Sequence, residues 1–377
     1  MPKPSKKTLI IHIGDHKTGS TSIQTAFAQR QVKLHDHSIF YPAKLANNVM
    51  RDQCRNYGAA ETPEARELAA QPFRRMANQI RKSNADFTLI SAEALERIPA
   101  ALLHEIVDSF FAKVVDEVRI ISYVRPHPGR ITSTFTERTK VGVPKALSST
   151  LEEFAERRKA DGEAKYLPRF AAWREHFGDR FLLRPMIRAH LRDGDVVHDF
   201  THHAFGGIPF EIRDASAVNE SLYMEDLMRL KVLQMNLRMP RLLRLMAGWE
   251  VYRLIGQMPP PATRTRLQLH RSLAEDIRDT YLQDARDMDR TFFDGKPLME
   301  NELQAAVDKA IDTPQSTDPA DHLPASELRS LELMSRVVAG LLENKDVDWP
   351  AFLHGKRVQD VKDAPHLANR RDRNWPP

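Results

Sequence analysis

Six consecutive residues near the start of the chain, Thr8-Leu9-Ile10-Ile11-His12-Ile13, are almost wholly apolar and stop at Gly14. A run of this length reads as a strand covered on both faces, because a strand with one wet face alternates polar and apolar side chains. It is too short for a membrane span, which takes about 20 residues. It also lacks the length and the small-residue cleavage site of a secretory signal. A polar loop, Gly14 to Gly19, comes next. A helical pattern follows, with Ile23, Ala26 and Phe27 on one face and Ser20 or Thr21 at its start. Strand, tight loop and helix together open a parallel sheet.

The same alternation continues. Strands are expected at Ser38–Tyr41, Phe87–Ser91, Val118–Val124 and Phe181–Arg184. Helices are expected at 62–83, 100–113, 126–140, 151–159 and 166–177. Strands alternating with helical patterns predict an α/β fold with a mostly parallel central sheet flanked by helices. From about residue 215 strand signals fade. Asn219–Leu245 and Arg264–Tyr281 read as helices separated by Pro259-Pro260-Pro261, with Asn219 or Ser221 as a cap. Thr313–Pro324, rich in Pro, Ser, Thr and Asp, reads as a linker. Leu328–Leu342 reads as a helix capped by Ser326, and a basic tail runs from Lys356. The expected domains are a core over 1–211, a helical extension or acceptor-site subdomain over 212–312, and linker, terminal helix and tail over 313–377.

With 41% hydrophobic residues over 377 positions, the chain can build a sizeable core. Its 56 basic residues barely outnumber 51 acidic ones, a net charge of +5. That dispersed excess, with no zinc-finger or RNP pattern, argues against a nucleic-acid partner. Cys54 is the single cysteine, so an intrachain disulfide and a cysteine metal cluster are excluded, and a reducing, cytoplasmic setting is expected.

The loop Gly14-Asp15-His16-Lys17-Thr18-Gly19-Ser20-Thr21-Ser22 has the ingredients of a phosphate cradle. Glycines bracket the turn, and the next helix offers unpaired amides and the positive end of its dipole. Lys17 adds a cation, and Thr18, Ser20, Thr21 and Ser22 add hydroxyls. The spacing of Gly14 and Gly19 matches an ATPase loop, but Ser20 stands where its lysine belongs, which argues against magnesium-ATP chemistry. A second cluster follows the strand Val118–Val124. Arg125 sits at the strand's carboxyl end, where ligands bind in open α/β sheets. Arg130 and Ser133 share a helix face beyond it, and an arginine fork and a hydroxyl both suit phosphate oxygens.

The core Lys17-Thr18-Gly19-Ser20-Thr21 resembles the 5′-phosphosulfate loop of the PAPS-dependent sulfotransferase superfamily, PAPS being 3′-phosphoadenosine 5′-phosphosulfate. The stretch His12 to Gln24 is most similar to bacterial members. Arg125 and Ser133 have the spacing of that family's 3′-phosphate pair, with Pro126, Pro128 and Arg130 supplying further residue types found between them. The resemblance is concentrated at residues 8–30 and 117–138. It implies a three-layer P-loop-like fold and PAPS as sulfuryl donor with adenosine 3′,5′-bisphosphate as product. It also implies that no metal is required, and that the acceptor bears a hydroxyl or amine, a carbohydrate or glycan first. Lys17 would meet the bridging or sulfuryl oxygens, and Ser20 and Thr21 the 5′-phosphate.

Glu93, just after the strand Phe87–Ser91, is the leading candidate for the catalytic base, as the resemblance implies, since glycan sulfotransferases often use a glutamate for this role and many cytosolic small-molecule members a histidine; His16 in the loop is the second. His12, inside its strand, reads as a packing residue. Arg184 and Arg188 follow another strand and serve either the fold or an anionic acceptor. Gly194, Asp195, Asp199 and Phe200 read as turn and packing residues. His202-His203, taken as an extended pair, should point apart and hold no metal. A nucleotide or small-molecule kinase and a non-catalytic phosphonucleotide-binding protein are the alternatives.

Overall fold

In the computed structural model the described residues are 6–213, 222–261 and 264–368. The elements begin with β1 (Thr8–His12), α1 (Ser20–Ala28), β2 (Val32–Leu34), β3 (Ile39–Phe40), α2 (Met50–Gly58), α3 (Pro63–Lys82), β4 (Phe87–Ser91), α4 (Ala100–Ile106) and β5 (Glu117–Val124). They continue with α5 (His127–Lys140), α6 (Pro144–Leu147), α7 (Leu151–Ala160), α8 (Leu167–Phe177), β6 (Phe181–Pro185), α9 (Val196–Ala204) and β7 (Phe210–Ile212). The remainder is helical: α10 (Met224–Asn236), α11 (Arg241–Ile255), α12 (Arg271–Phe292), α13 (Leu298–Asp308), α14 (Ala325–Leu342) and α15 (Trp349–Ala368).

Two compact units share this chain. The first comprises Met1–Arg125, Tyr166–Val218 and Val361–Pro377; the second comprises Pro126–Lys165 and Asn219–Asp360. In the first, five strands form a sheet in the order β3-β4-β1-β5-β6, and every pairing is parallel. The fold is therefore α/β with a parallel central sheet flanked by helices, and all five expected sheet strands are present. The apolar run after Lys7 occupies the centre, and every residue of β1 is buried. One face packs Ile10, Ile121 and Tyr123 against Ile23 and Phe27 of α1 and Phe200 of α9. Alternation sends Leu9 and Ile11 to the other face, and on α8 the rings of Phe170 and Trp173 stack on Phe181 at the start of β6.

Short polar devices fix the ends of these elements. Thr62 caps α3 by accepting the Ala65 N–H at 3.2 Å. At the other end of α3, the Lys7 ammonium donates to the carbonyls of Ile80, Arg81 and Ser83 at 3.1, 3.2 and 2.6 Å, placing a cation on a helix C-terminus. A short antiparallel pair, β2 with β7, is additional to the expected strands. Cys54 is fully buried, and burial pushes its thiol pKa up to about 12.

In the second unit, α10 packs Met224, Leu227 and Leu230 with Leu323 and with Leu328 and Leu331 of α14. Gly248 of α11 lies so close to the Lys140 carbonyl that a Cβ would collide with it. Gln234 ties the same junction by donating to the carbonyls of Lys140 and Arg244 at 2.8 and 3.0 Å.

Several expected boundaries move. The helix expected over 219–245 is two helices, because Pro240 has no amide to continue the first and instead leads into α11; Asn219 and Ser221 lie outside the described residues. The next helix starts at Arg271, since His270 makes a bridge with Ile311, and it runs on to Phe292. The segment read as a linker is packed: Thr317 is buried, its carbonyl accepts from Lys231 Nζ at 2.6 Å, and its hydroxyl donates to the Ser149 carbonyl at 3.3 Å. Pro324, not Ser326, precedes α14, and Ser326 lies inside it. The His202-His203 pair is not extended but ends α9, with ring centroids 5.0 Å apart. Of the basic tail, residues 369–377 lie outside the described residues. No helix of the described residues is long and apolar enough to cross a membrane.

Two buried ionisable groups make this core acid-sensitive. His12 has no exposure, its Nδ1 is 2.9 Å from Ser91 Oγ, and its ring packs against Phe200 and Tyr123. Burial lowers its pKa from 6.5 to about 3. Asp199 accepts from Tyr123 Oη (2.7 Å), the Arg184 guanidinium (2.7 and 3.0 Å) and the Arg192 amide (3.0 Å). Burial alone would raise its pKa, but those bonds prevail and hold it below its ordinary value. In both cases the folded state binds fewer protons than the unfolded chain, so stability is complete above the unfolded pKa and drains away as pH falls. The melting temperature should therefore begin to drop as pH falls below about 6.5. His12→Asn, whose amide can meet Ser91, should flatten the upper part of that limb; an unchanged limb would count against the account. Asp199→Ala leaves Arg184 and the Tyr123 hydroxyl unmatched and should cost about 3 kcal/mol in urea unfolding.

Candidate functional site

All five strands of the main sheet run the same way, so the segments that follow them meet one edge of it. Those following the three central strands are the Gly14–Gly19 loop after β1, the tight turn Glu93–Arg97 after β4, and Arg125 after β5.

The first loop is held by its second residue. The Asp15 N–H donates to the Tyr123 carbonyl at 3.0 Å. The Asp15 carbonyl accepts the hydroxyls of Thr18 and Ser20 at 2.5 and 3.2 Å. Its carboxylate, 1% exposed, takes both terminal nitrogens of Arg169 at 2.5 and 2.6 Å. Burial would lower the Arg169 pKa, but the attraction and hydrogen bonds of Asp15, with a smaller pull from Glu96, hold it above its ordinary value. Arg169 also lies 4.3 Å from the Phe170 ring centroid. It comes from α8, whose preceding residue Tyr166 donates its hydroxyl to the Arg125 carbonyl at 2.9 Å. One helix start thus fixes the segments after β1 and β5.

The third residue of the loop is held from the other side. The His16 N–H donates to Glu96 Oε2 at 2.9 Å, and His16 Nδ1 lies 2.6 Å from Glu96 Oε1. Glu96 belongs to the turn after β4. The same turn begins with Glu93, and its carbonyl lies against Gly14, leaving no room for a Cβ there. The Glu93 side chain is half-buried and makes no hydrogen bond or ion pair among the described residues.

Between these grips the backbone turns left-handed at Gly14 (φ 102°), Lys17 (65°) and Gly19 (83°). At Lys17 that conformation costs about 1 kcal/mol. Gly19 ends the loop and has no side chain to cap α1. The amides of Ser20, Thr21 and Ser22 precede the first intrahelical bond, from the Ile23 N–H to the Gly19 carbonyl at 3.2 Å. Any Cβ at Gly19 would also strike Val196. The loop therefore delivers a lysine and a helix N-terminus to one place, which suits an anion.

The sequence candidates are distributed as follows. Lys17, Thr18, Gly19, Ser20, Thr21, Ser22 and His16 share one loop and helix start. Thr18 and Ser20 are buried, and their single protons go to Asp15 rather than outward. Glu93 and Arg125 stand at the same sheet edge. Arg130 and Ser133 lie on α5 in the second unit, where the Ser133 hydroxyl donates to the Arg130 carbonyl at 3.3 Å. Arg184 is engaged by Asp199. Asp15, Glu96, Tyr166 and Arg169 were not singled out by the sequence reading. Asp15 and Glu96 sit within or three residues beyond recognised motifs, but nothing local marks Tyr166 or Arg169. Among the described residues no three His, Cys, Asp or Glu side chains form a metal-holding group.

No protein-family model matches the chain, and no curated protein sequence matches it significantly.

Removing the cation should expose how much the loop depends on it. Arg169→Ala strands a buried carboxylate and should lower stability by about 3 kcal/mol, read by urea unfolding. Arg169→Lys should recover part of that loss, because an ammonium keeps the charge but not the two-pronged geometry. Equal stability of Arg169→Ala and wild type would show that the pair is dispensable.

Proposed function

We propose that the chain is a PAPS-dependent sulfotransferase that moves a sulfuryl group to a hydroxyl or amine, with a carbohydrate or glycan as the leading acceptor. One observation carries the reading: the Lys17-Thr18-Gly19-Ser20-Thr21 core joins the central strand of a parallel sheet to the uncapped start of α1. Arg125 directly follows the adjacent strand β5, which supports a second phosphate contact on the same edge.

The residues fit such a donor. Amides at the start of α1, the Lys17 ammonium and the hydroxyls of Thr21 and Ser22 form a donor set for the 5′-phosphate and sulfuryl oxygens. Thr18 and Ser20 contribute by shaping the loop, and Ser20 also through its amide. The resemblance assigns the 3′-phosphate to Arg125, Arg130 and Ser133, and of these Arg125 stands at this sheet edge. PAPS supplies the sulfuryl group and a bisphosphate leaving group. Lys17 offsets the charge that builds on that leaving group as the bond to sulfur breaks. Glu93 and His16 are the candidate proton acceptors, and His16 is the one whose backbone N–H a neighbouring carboxylate, Glu96, holds. A kinase would need a lysine directly after Gly19, where Ser20 stands.

Calorimetry should show saturable binding of adenosine 3′,5′-bisphosphate and weaker binding of magnesium-ATP. Arg125→Ala should weaken bisphosphate binding about tenfold, the loss expected for one charge-assisted contact. Lys17→Ala should lower transfer from labelled PAPS more than it lowers donor binding, because its charge matters most in the transition state. Saturable magnesium-ATP binding with no bisphosphate binding would sink the assignment.

A further inference from the structure

Resting on the sulfotransferase reading, we infer that Glu96 is the positioning residue for a proton-accepting imidazole at His16. A single carboxylate accepts the backbone N–H of His16 at 2.9 Å on one oxygen, and its other oxygen lies 2.6 Å from the buried ring Nδ1, a close charge pairing without a hydrogen bond's alignment. The two side chains differ in access: Glu96 is 7% exposed and His16 36%. A buried, fixed carboxylate thus orients a ring that reaches solvent. Other charges surround the pair. Arg97 Nε is 3.7 Å from Glu96 Oε1, Arg169 is drawn to Glu96 as well as to Asp15, Lys17 follows His16 in the loop, and Glu93 heads the turn that carries Glu96.

This arrangement defines the ring's chemistry. A carboxylate facing the Nδ1 side favours a proton there and leaves Nε2 as the nitrogen that accepts one. In the transfer the acceptor's O–H proton goes to Nε2 while its oxygen forms the new bond to sulfur. The bond from sulfur to the 5′-phosphate oxygen breaks, and its electron pair leaves with adenosine 3′,5′-bisphosphate. Glu96 balances the imidazolium that results. Glu96 itself touches neither donor nor acceptor.

The test separates this proposal from the donor assignment on which it rests. Long-range ¹H–¹⁵N NMR of the full chain, without donor, reads the tautomer and titration midpoint of His16. The wild-type neutral ring should carry its proton on Nδ1, and Glu96→Gln should lower the midpoint by about one unit. In pH profiles of PAPS turnover, measured as bisphosphate release, Glu96→Gln should shift the acidic limb the same way. It should also reduce turnover about tenfold, while bisphosphate affinity by calorimetry stays within about twofold. Glu96→Asp should recover part of the turnover, and it serves for the same spectra if Glu96→Gln fails to fold. In a His16→Gln background, Glu96→Gln should have no further effect on turnover. An unmoved His16 midpoint, or an unmoved limb in a folded variant, overturns the proposal. Absence of bisphosphate binding to wild type overturns the donor assignment instead, whatever the spectra show.

Discussion

A carboxylate with almost no access to water has to be matched by a cation, and Asp15 is such a carboxylate. Its partner, Arg169, comes from a helix 154 residues further along the chain. The cost of taking both charges out of water is offset only because two parallel hydrogen bonds form and because every other polar group of Asp15 is also engaged. Removing any one of those partners would expose the others to the same penalty. Together with the hold of Glu96 on His16, this buried residue ties the loop to the sheet and to α8.

The two grips on the loop are chemically unlike, and that difference gives the site its character. On one side a guanidinium meets a carboxylate through two parallel hydrogen bonds, which fixes geometry. On the other an imidazole meets a carboxylate, and an imidazole changes charge near neutrality. Two unlike supports therefore hold adjacent residues, Asp15 and His16.

The sheet strands were legible because each is a short apolar run flanked by polar or turn residues, a signal that needs no knowledge of the partner strand. The pair β2 and β7 was not, because each has three residues and acquires strand geometry only by pairing with a segment far away in the chain. The breaks at Pro240 and His270 show the same limit, since helical periodicity runs across both. The phosphate-loop composition was readable from Lys17 to Ser22, yet the direction of its hydroxyls was not. Thr18 and Ser20 look alike as donors in sequence, and only the fold turns their protons onto Asp15. Arg169 and Tyr166 sit in an ordinary amphipathic helix whose role depends on where its first turn lands.

The division of the chain into units has a consequence for synthesis. The first unit is interrupted: residues 126–165 belong to the second unit before the chain returns with α8 and β6. Strands β1, β3, β4 and β5 all precede that excursion, and β6 joins at an edge of the sheet. A nascent chain emerging from its N-terminus can thus assemble four of the five strands early. Asp15 cannot meet the guanidinium of Arg169 until residue 169 has been made. The contact that secures the loop therefore joins the first strand's end to a segment made after the excursion.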